Sequence, residues 1–282
     1  MKPLSLIHEK PLVWGHRGGR SLAAENTLKA LRMAHEAGAD GWETDVQLTK
    51  DGELIILHDL NLLRSTNASC HPLFKDNAPQ VPWRFTLGEI KELSADVFPR
   101  RFCGKPHEGR QWERCGHELD PEYSVPTLQE ALSLSRELGM WVNIEIKDLS
   151  HDVPRSLAKD VVSKVLATVS ALNMDEQVII SSFNHDYVRE CKARAKHVLT
   201  GALTPHAFAG DPVEMLHAAS ADAWHPGFRG LNAQNVAAVR EAGFAINPYT
   251  VNELNDMQQL TAWGVTGLVT DFPQRACAWL SD

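Results

Sequence analysis

A chain of 282 residues with 28 Lys and Arg against 36 Asp and Glu carries a net charge of −8 at pH 7. That length accommodates one large α/β barrel or two smaller domains, each with a full core. The acidic balance argues against a nucleic-acid or other polyanion binder that works by bulk positive charge, so an anionic ligand needs a local basic pocket.

The N-terminal stretch MKPLSLIHEKPLVWG has charge and proline where a signal peptide needs an unbroken apolar run, and no later segment approaches a membrane span. The five cysteines, Cys70, Cys103, Cys115, Cys191 and Cys277, are odd in number and scattered, which fits a reduced compartment better than a disulfide framework. A soluble cytoplasmic protein of undetermined oligomeric state is expected.

Leu12 to Gly15 reads as a short apolar strand that delivers His16-Arg17-Gly18-Gly19-Arg20 at its C-terminal end. Glycines there let the backbone approach a ligand, and nearby N–H groups can cradle an anion; a glycine turn with an incidental histidine is the alternative. Neither a P-loop nor a dinucleotide fingerprint can be written on these residues. Asn26 is placed as the cap of a helix from about Thr27 to Ala37, with Gly38 as its stop.

The stretch from Gly41 to Asp59 predicts a hairpin, because Asp51-Gly52 lies between two runs of strand formers. With Asp51 and Gly52 as a two-residue loop, Lys50 faces Glu53, Leu48 faces Ile55, and Asp45 lies opposite His58, with Cβ atoms about 5 Å apart. Strand alternation points Glu43 and Asp45 to one side. Two carboxylates side by side repel unless a cation or proton lies between them, which indicates a hard divalent metal site or, failing that, an acidic solvent-facing surface.

The rhythm then breaks from Asn61 to Val125, a segment with prolines, glycines and one short helix capped at Thr86. It is read as an insertion between the second and third barrel strands, lying over the active-site face. Cys103, His107, Cys115 and His117 cluster in it without matching a common zinc pattern. Trp83 and Trp112 are candidates to pack on a choline-like head group, whereas Trp14, Trp42, Trp224 and Trp263 suit the core. Thr127 and Glu130 form a capping box that starts the next helix.

Strands follow at Trp141 to Lys147, Val178 to Ser181, Leu199 to Leu203, Ala223 to His225, Phe244 to Tyr249 and Gly267 to Thr270. Helical stretches near 154 to 171, 185 to 195, 212 to 220, 232 to 242, 252 to 263 and 273 to 280 alternate with them. With the strands at Leu12 and Gly41 this makes eight βα units, a (β/α)8 TIM barrel in a single domain. Along the third barrel strand Asn143, Glu145 and Lys147 share a face; they form either a plain ion pair or, at a barrel mouth, part of a catalytic site.

These residues resemble the glycerophosphodiester phosphodiesterase family. The matching blocks are His16-Arg17-Gly18, Glu25-Asn26-Thr27, Glu43 through Gly52 with His58-Asp59, and Leu63 through Asn67. They continue through Pro126-Thr127-Leu128, Asn143 through Lys147, Ser181-Ser182-Phe183 and Val269 through Pro273. The resemblance implies hydrolysis of glycerophosphodiesters such as glycerophosphocholine or glycerophosphoethanolamine to glycerol 3-phosphate and an alcohol. It implies Glu43, Asp45 and Glu145 as metal ligands, His16 and His58 as the acid and base pair, and Arg17 and Lys147 as phosphate contacts. One divalent metal, Mg2+ or Ca2+, fits such an all-carboxylate set. A barrel that cleaves lysophospholipids and a non-catalytic phosphodiester-binding barrel are the competing readings.

Overall fold

The computed structural model describes residues 10–97, 101–102, 105–106 and 120–281. Its main sheet contains β1 (Leu12–His16), β2 (Gly41–Leu48), β3 (Leu54–Ile56), β4 (Trp141–Ile146), β5 (Val178–Ser182), β6 (Leu199–Thr204), β7 (Ala223–Pro226), β8 (Ala245–Ile246) and β9 (Gly267–Thr270). All but β3 run parallel, in the order β8-β7-β6-β5-β4-β2-β1-β9, while β3 pairs antiparallel with β2. The two ends of that path meet through Thr266 N–H to Ile246 O and Val269 N–H to Pro248 O, at 2.9 and 3.0 Å. The result is a nearly closed barrel of eight parallel strands.

The helices are α1 (Leu28–Glu36), α2 (Leu87–Ile90), α3 (Leu128–Leu138), α4 (Arg155–Ala158), α5 (Val161–Ala171), α6 (His185–Arg194), α7 (Pro212–Ala219), α8 (Ala233–Glu241), α9 (Leu254–Trp263) and α10 (Pro273–Ser281). The capping boxes at Thr86 and Thr127 form as expected, each with a glutamate three residues on. The expected helix over 154–171 is instead two, α4 and α5. The cap of α1 is Thr27, whose hydroxyl accepts from Ala30 N–H, and not Asn26. No described helix is long and apolar enough to cross a membrane.

Alternation along the strands decides what faces the helices. Trp42, Val46, Val142, Ile144, Ile146, Val178 and Ile180 are all at most 1% exposed and pack outward into one continuous core with the helices. Trp14 and Trp224 are buried and Trp263 partly so, as expected, but Trp83 also packs against this core rather than standing free as a platform. Trp112 lies outside the described residues. Ile55 and Leu57 belong to a second core with Leu62, Phe74, Phe85, Ile90, Leu93 and Val125, so the chain after the hairpin is held by its own apolar cluster.

The hairpin is one residue out of the expected register. Leu48 pairs with Leu54 and Val46 with Ile56, and Leu57 N–H bonds to Asp45 O, so Leu57 takes the place opposite Asp45 that had been assigned to His58. The loop has three residues, closed by Thr49 N–H to Glu53 O at 3.0 Å, and Gly52 occupies its left-handed position at φ +80°. A left-handed residue at the third loop position adds one position to a two-residue loop. Cys70 is disulfide-bonded, contrary to the expectation of reduced cysteines, while Cys191 and Cys277 are free. The cluster Cys103, His107, Cys115 and His117 lies outside the described residues.

Candidate active site

Parallel register assembles the site at the C-terminal mouth of the barrel. β1 and β2 bring His16 beside Glu43, and β2 and β4 bring Asp45 beside Glu145. Partners in a parallel ladder point to the same face, so the three acids face inward together. His16, Arg17, Glu43, His58, Glu145 and Lys147 all line one cavity of about 170 Å³ that is partly open to solvent. Six of the seven residues singled out from the sequence therefore line this cavity, and the seventh, Asp45, has a carboxylate oxygen within 4.8 Å of those of Glu43 and Glu145.

The loop after β1 does not cradle an anion with its backbone. Arg17 and Gly18 have positive φ, +53° and +86°, and the chain curls so that Arg17 N–H donates to Glu43 Oε2, Gly18 N–H to Gly15 O and Gly19 N–H to Ala30 O. Those three donors are satisfied within the protein, so the Gly18-Gly19 pair serves packing: a Cβ on Gly18 would lie 2.6 Å from that of Ala30. The Arg17 side chain is what the loop presents. It donates from Nη1 to Glu25 at 2.8 Å and lies 3.5 Å from Asp45 through Nε.

Charge within the site is arranged unevenly. Burial pushes the Glu43 carboxyl well up, and the carboxylates of Asp45 and Glu145 push it further. Burial acts the same way on Asp45, but Lys147 at 3.3 Å, Arg17 and the amide of Asn26 at 2.8 Å overcome it and hold Asp45 far below the usual range. Glu145 is raised by burial, only partly offset by Lys147 at 2.6 Å. One oxygen from each of Glu43, Asp45 and Glu145 lies within 4.8 Å of the other two. Three buried oxygens so placed, with Glu43 and Glu145 both raised, form a donor set that fits a hard divalent cation.

Each histidine has a carboxylate on Nδ1. His16 contacts Asp271 Oδ1 at 2.6 Å, with Nε2 directed to the Glu43 side at 3.9 Å. Burial lowers its pKa and Asp271 opposes that shift. His58 contacts Asp59 Oδ1 at 2.7 Å, and Arg64 binds both oxygens of Asp59. Arg64 also reaches Glu25 with two bonds, at 2.9 and 2.6 Å, and Glu25 further takes Arg17 and Arg20. One buried carboxylate thus joins the loop after β1 to the loop that carries His58.

The residues missed in the sequence are those that hold others. Asn26, at φ +58°, donates to Asp45 and accepts from Thr44; Glu25, Arg64 and Asp271 act as described above. Each lies inside a matching block, but the type of such a residue does not disclose its partner. On the far wall Phe183, Leu203 and Tyr249 line the cavity, with the Tyr249 hydroxyl donating to Thr204 O at 3.0 Å. Beneath them His225 is wholly buried between the amides of Asn143 and Asn247.

Known proteins share both sequence and fold with this chain. The model of the glycerophosphoryl diester phosphodiesterase family matches residues 16–275. A glycerophosphodiester phosphodiesterase of Caldanaerobacter subterraneus subsp. tengcongensis is 34% identical over 266 residues, covering 94% of this chain and 96% of that protein. A phosphodiesterase of Oleispira antarctica, solved with the product sn-glycerol-3-phosphate, superposes with a TM-score of 0.77 at 23% identity, covering 97% of this chain and 98% of that one. The glycerophosphodiester phosphodiesterase of Thermotoga maritima gives a TM-score of 0.68 at 24% identity, with 96% and 99% coverage.

Proposed function

The chain belongs to the glycerophosphoryl diester phosphodiesterase family, a family of phosphodiester hydrolases, and on that footing we propose that it cleaves glycerophosphodiesters such as glycerophosphocholine and glycerophosphoethanolamine to glycerol 3-phosphate and an alcohol. The observation that carries this reading is the convergence of two histidines, three carboxylates, Arg17 and Lys147 on one cavity. Mg2+ or Ca2+ is the cofactor assigned to Glu43, Asp45 and Glu145.

Attack on a phosphodiester adds negative charge to the non-bridging oxygens. When bound, the divalent ion supplies positive charge where that negative charge develops. Arg17 and Lys147 add fixed cations at the cavity wall, which is how a protein of net charge −8 holds an anion. His16 and His58 carry the protons: one takes a proton from the attacking hydroxyl, the other gives one to the leaving alcohol. The attacking group is proposed to be the free hydroxyl of the glycerol, giving a cyclic phosphate that water then opens. Oxygen label entering from solvent in one step, with no cyclic species, would remove that route.

A lysophospholipid is the second reading. Leu60 and Leu63, close after His58, and Phe183 in the cavity are three of the four large apolar side chains found exposed among the described residues. The test is release of glycerol 3-phosphate from glycerophosphocholine by the purified protein, with chelator, with Mg2+ or Ca2+ restored, and for His16→Ala. Chelator-sensitive release that His16→Ala lacks is the expected result. No release from any glycerophosphodiester, with head-group release from lysophosphatidylcholine, would transfer the proposal to the second reading.

A further inference from the structure

His16 is held by a residue that is itself held. Asp271 Oδ1 takes the Nδ1 side of His16 at 2.6 Å, and Asp271 Oδ2 accepts from Asn252 Nδ2 at 2.8 Å. Asn252 Oδ1 accepts the Asp271 backbone N–H at 2.9 Å and the Thr270 hydroxyl at 3.3 Å. The backbone N–H can only donate, so the Asn252 amide cannot turn over: its oxygen stays on Asp271 N–H and its NH2 stays on the Asp271 carboxylate. A carboxylate in turn offers only acceptors, so the ring proton of His16 must be on Nδ1.

We propose that Asp271 and Asn252 are positioning residues that fix the tautomer of His16, the orientation of the Asn252 amide being relayed through Asp271 to leave the Nε2 lone pair facing the reacting centre. This deepens the proposed role of His16 in proton transfer and rests on it. It also gives a function to the block Val269 through Pro273, which β9 places next to β1.

The relay makes an unusual demand on a conservative change. In Asp271→Asn the introduced carboxamide must keep its oxygen on the Asn252 NH2, so its own NH2 faces His16 Nδ1, which becomes an acceptor, and the ring proton moves to Nε2. Arg20 Nη1 opposes this arrangement from 3.6 Å, a weaker contact than the 2.8 Å bond to Asn252. The expected loss in kcat is roughly 10²- to 10⁴-fold, with KM and thermal stability little changed. Adding Asn252→Asp to Asp271→Asn supplies an acceptor for the introduced NH2, turns its oxygen back to His16 and recovers at least tenfold of the lost kcat.

The tautomer is read directly from long-range 1H–15N spectra of His16, independently of activity. The wild-type protein with Mg2+ should show the Nδ1–H form, Asp271→Asn the Nε2–H form, and the double variant Nδ1–H again. A wild-type Nε2–H form, an unchanged tautomer in folded Asp271→Asn, or a folded double variant no faster than Asp271→Asn overturns the relay. Activity retained by His16→Ala overturns instead the role of His16 on which the relay's function rests.

Discussion

Glu43→Gln should make the metal-free protein more stable and the metal-loaded protein less so. Three carboxylates share a buried site in which two like charges 4.8 Å apart repel by about 3.5 kcal/mol at an effective dielectric of 20. Of the three, Glu43 is the one raised well above its ordinary value of 4.5, by burial and by Asp45 and Glu145. A folded pKa above the unfolded one means a contribution that is fully present below about pH 4.5 and is lost as pH rises. Each pH unit above 4.5 costs up to about 1.4 kcal/mol, so the ceiling at pH 7 is about 3.4 kcal/mol. Gln keeps the acceptor for Arg17 N–H and removes the charge. In chelator the variant should therefore melt higher than wild type at pH 7, by roughly 5–10 °C at that ceiling, with the difference vanishing toward pH 4.5. With Mg2+ at a thousand times its Kd, wild type is stabilised by about 4.1 kcal/mol and the variant scarcely at all, so the ranking reverses. Differential scanning calorimetry over pH 4.5 to 7.5, with chelator and with metal, measures both. A variant less stable than wild type in chelator at pH 7, or a difference that does not change with pH, would refute mutual carboxylate repulsion as the organising force of the site.

Lys147→Met removes the ammonium held 2.6 Å from Glu145 and 3.3 Å from Asp45 and should lower kcat/KM by about 10- to 100-fold, mostly through KM; a change under threefold would exclude it as a phosphate contact. Asn26→Gly preserves the left-handed backbone but deletes the 2.8 Å bond to Asp45, and should weaken metal binding about tenfold in isothermal titration; unaltered affinity would show that Asp45 is held well enough by Arg17 and Lys147. Burial pushes His225 down to about 3 from 6.5, so its stabilising contribution is complete above pH 6.5 and is lost as pH falls toward 3, at up to about 1.4 kcal/mol per unit. Urea titrations between pH 4 and 7 should show a shallower pH dependence for His225→Gln than for wild type, and equal slopes would mean the imidazole stays wet.

The parts of this protein that could be read from the chain are those fixed by local rules. Period-two alternation in Trp141–Ile146 and capping boxes at Thr86 and Thr127 place elements without reference to anything distant, and eight strands separated by helical stretches leave little choice but a parallel barrel. The acids stand out because β2 carries Glu43 and Asp45 at alternate positions and β4 carries Glu145 on the face it shares with Asn143 and Lys147. Legibility failed where the answer depends on a partner elsewhere. The hairpin register turned on whether Gly52 sits second or third in its loop, which Asp51-Gly52 alone does not state. Asn26 looks like a helix cap by composition, and its recruitment to Asp45 requires knowing that β2 lies beside it. The glycines after His16 suggest an anion nest, and only the curl of the loop shows their N–H groups turned inward. Asp271 gives no local sign of its link to a histidine on the first strand.

That last link also orders the protein's synthesis. Glu43, Asp45 and Glu145 are all translated at least 122 residues before β9, which closes on β1, and before Asp271, which seats His16 from 255 positions away. At about 5–20 residues per second the first strand, already followed by β2, waits roughly 10–50 s for its second neighbour. Throughout that interval one edge of β1 lacks its partner while the other pairs with β2, so the acids of β2 and β4 can come together before the carboxylate that seats His16 has been made.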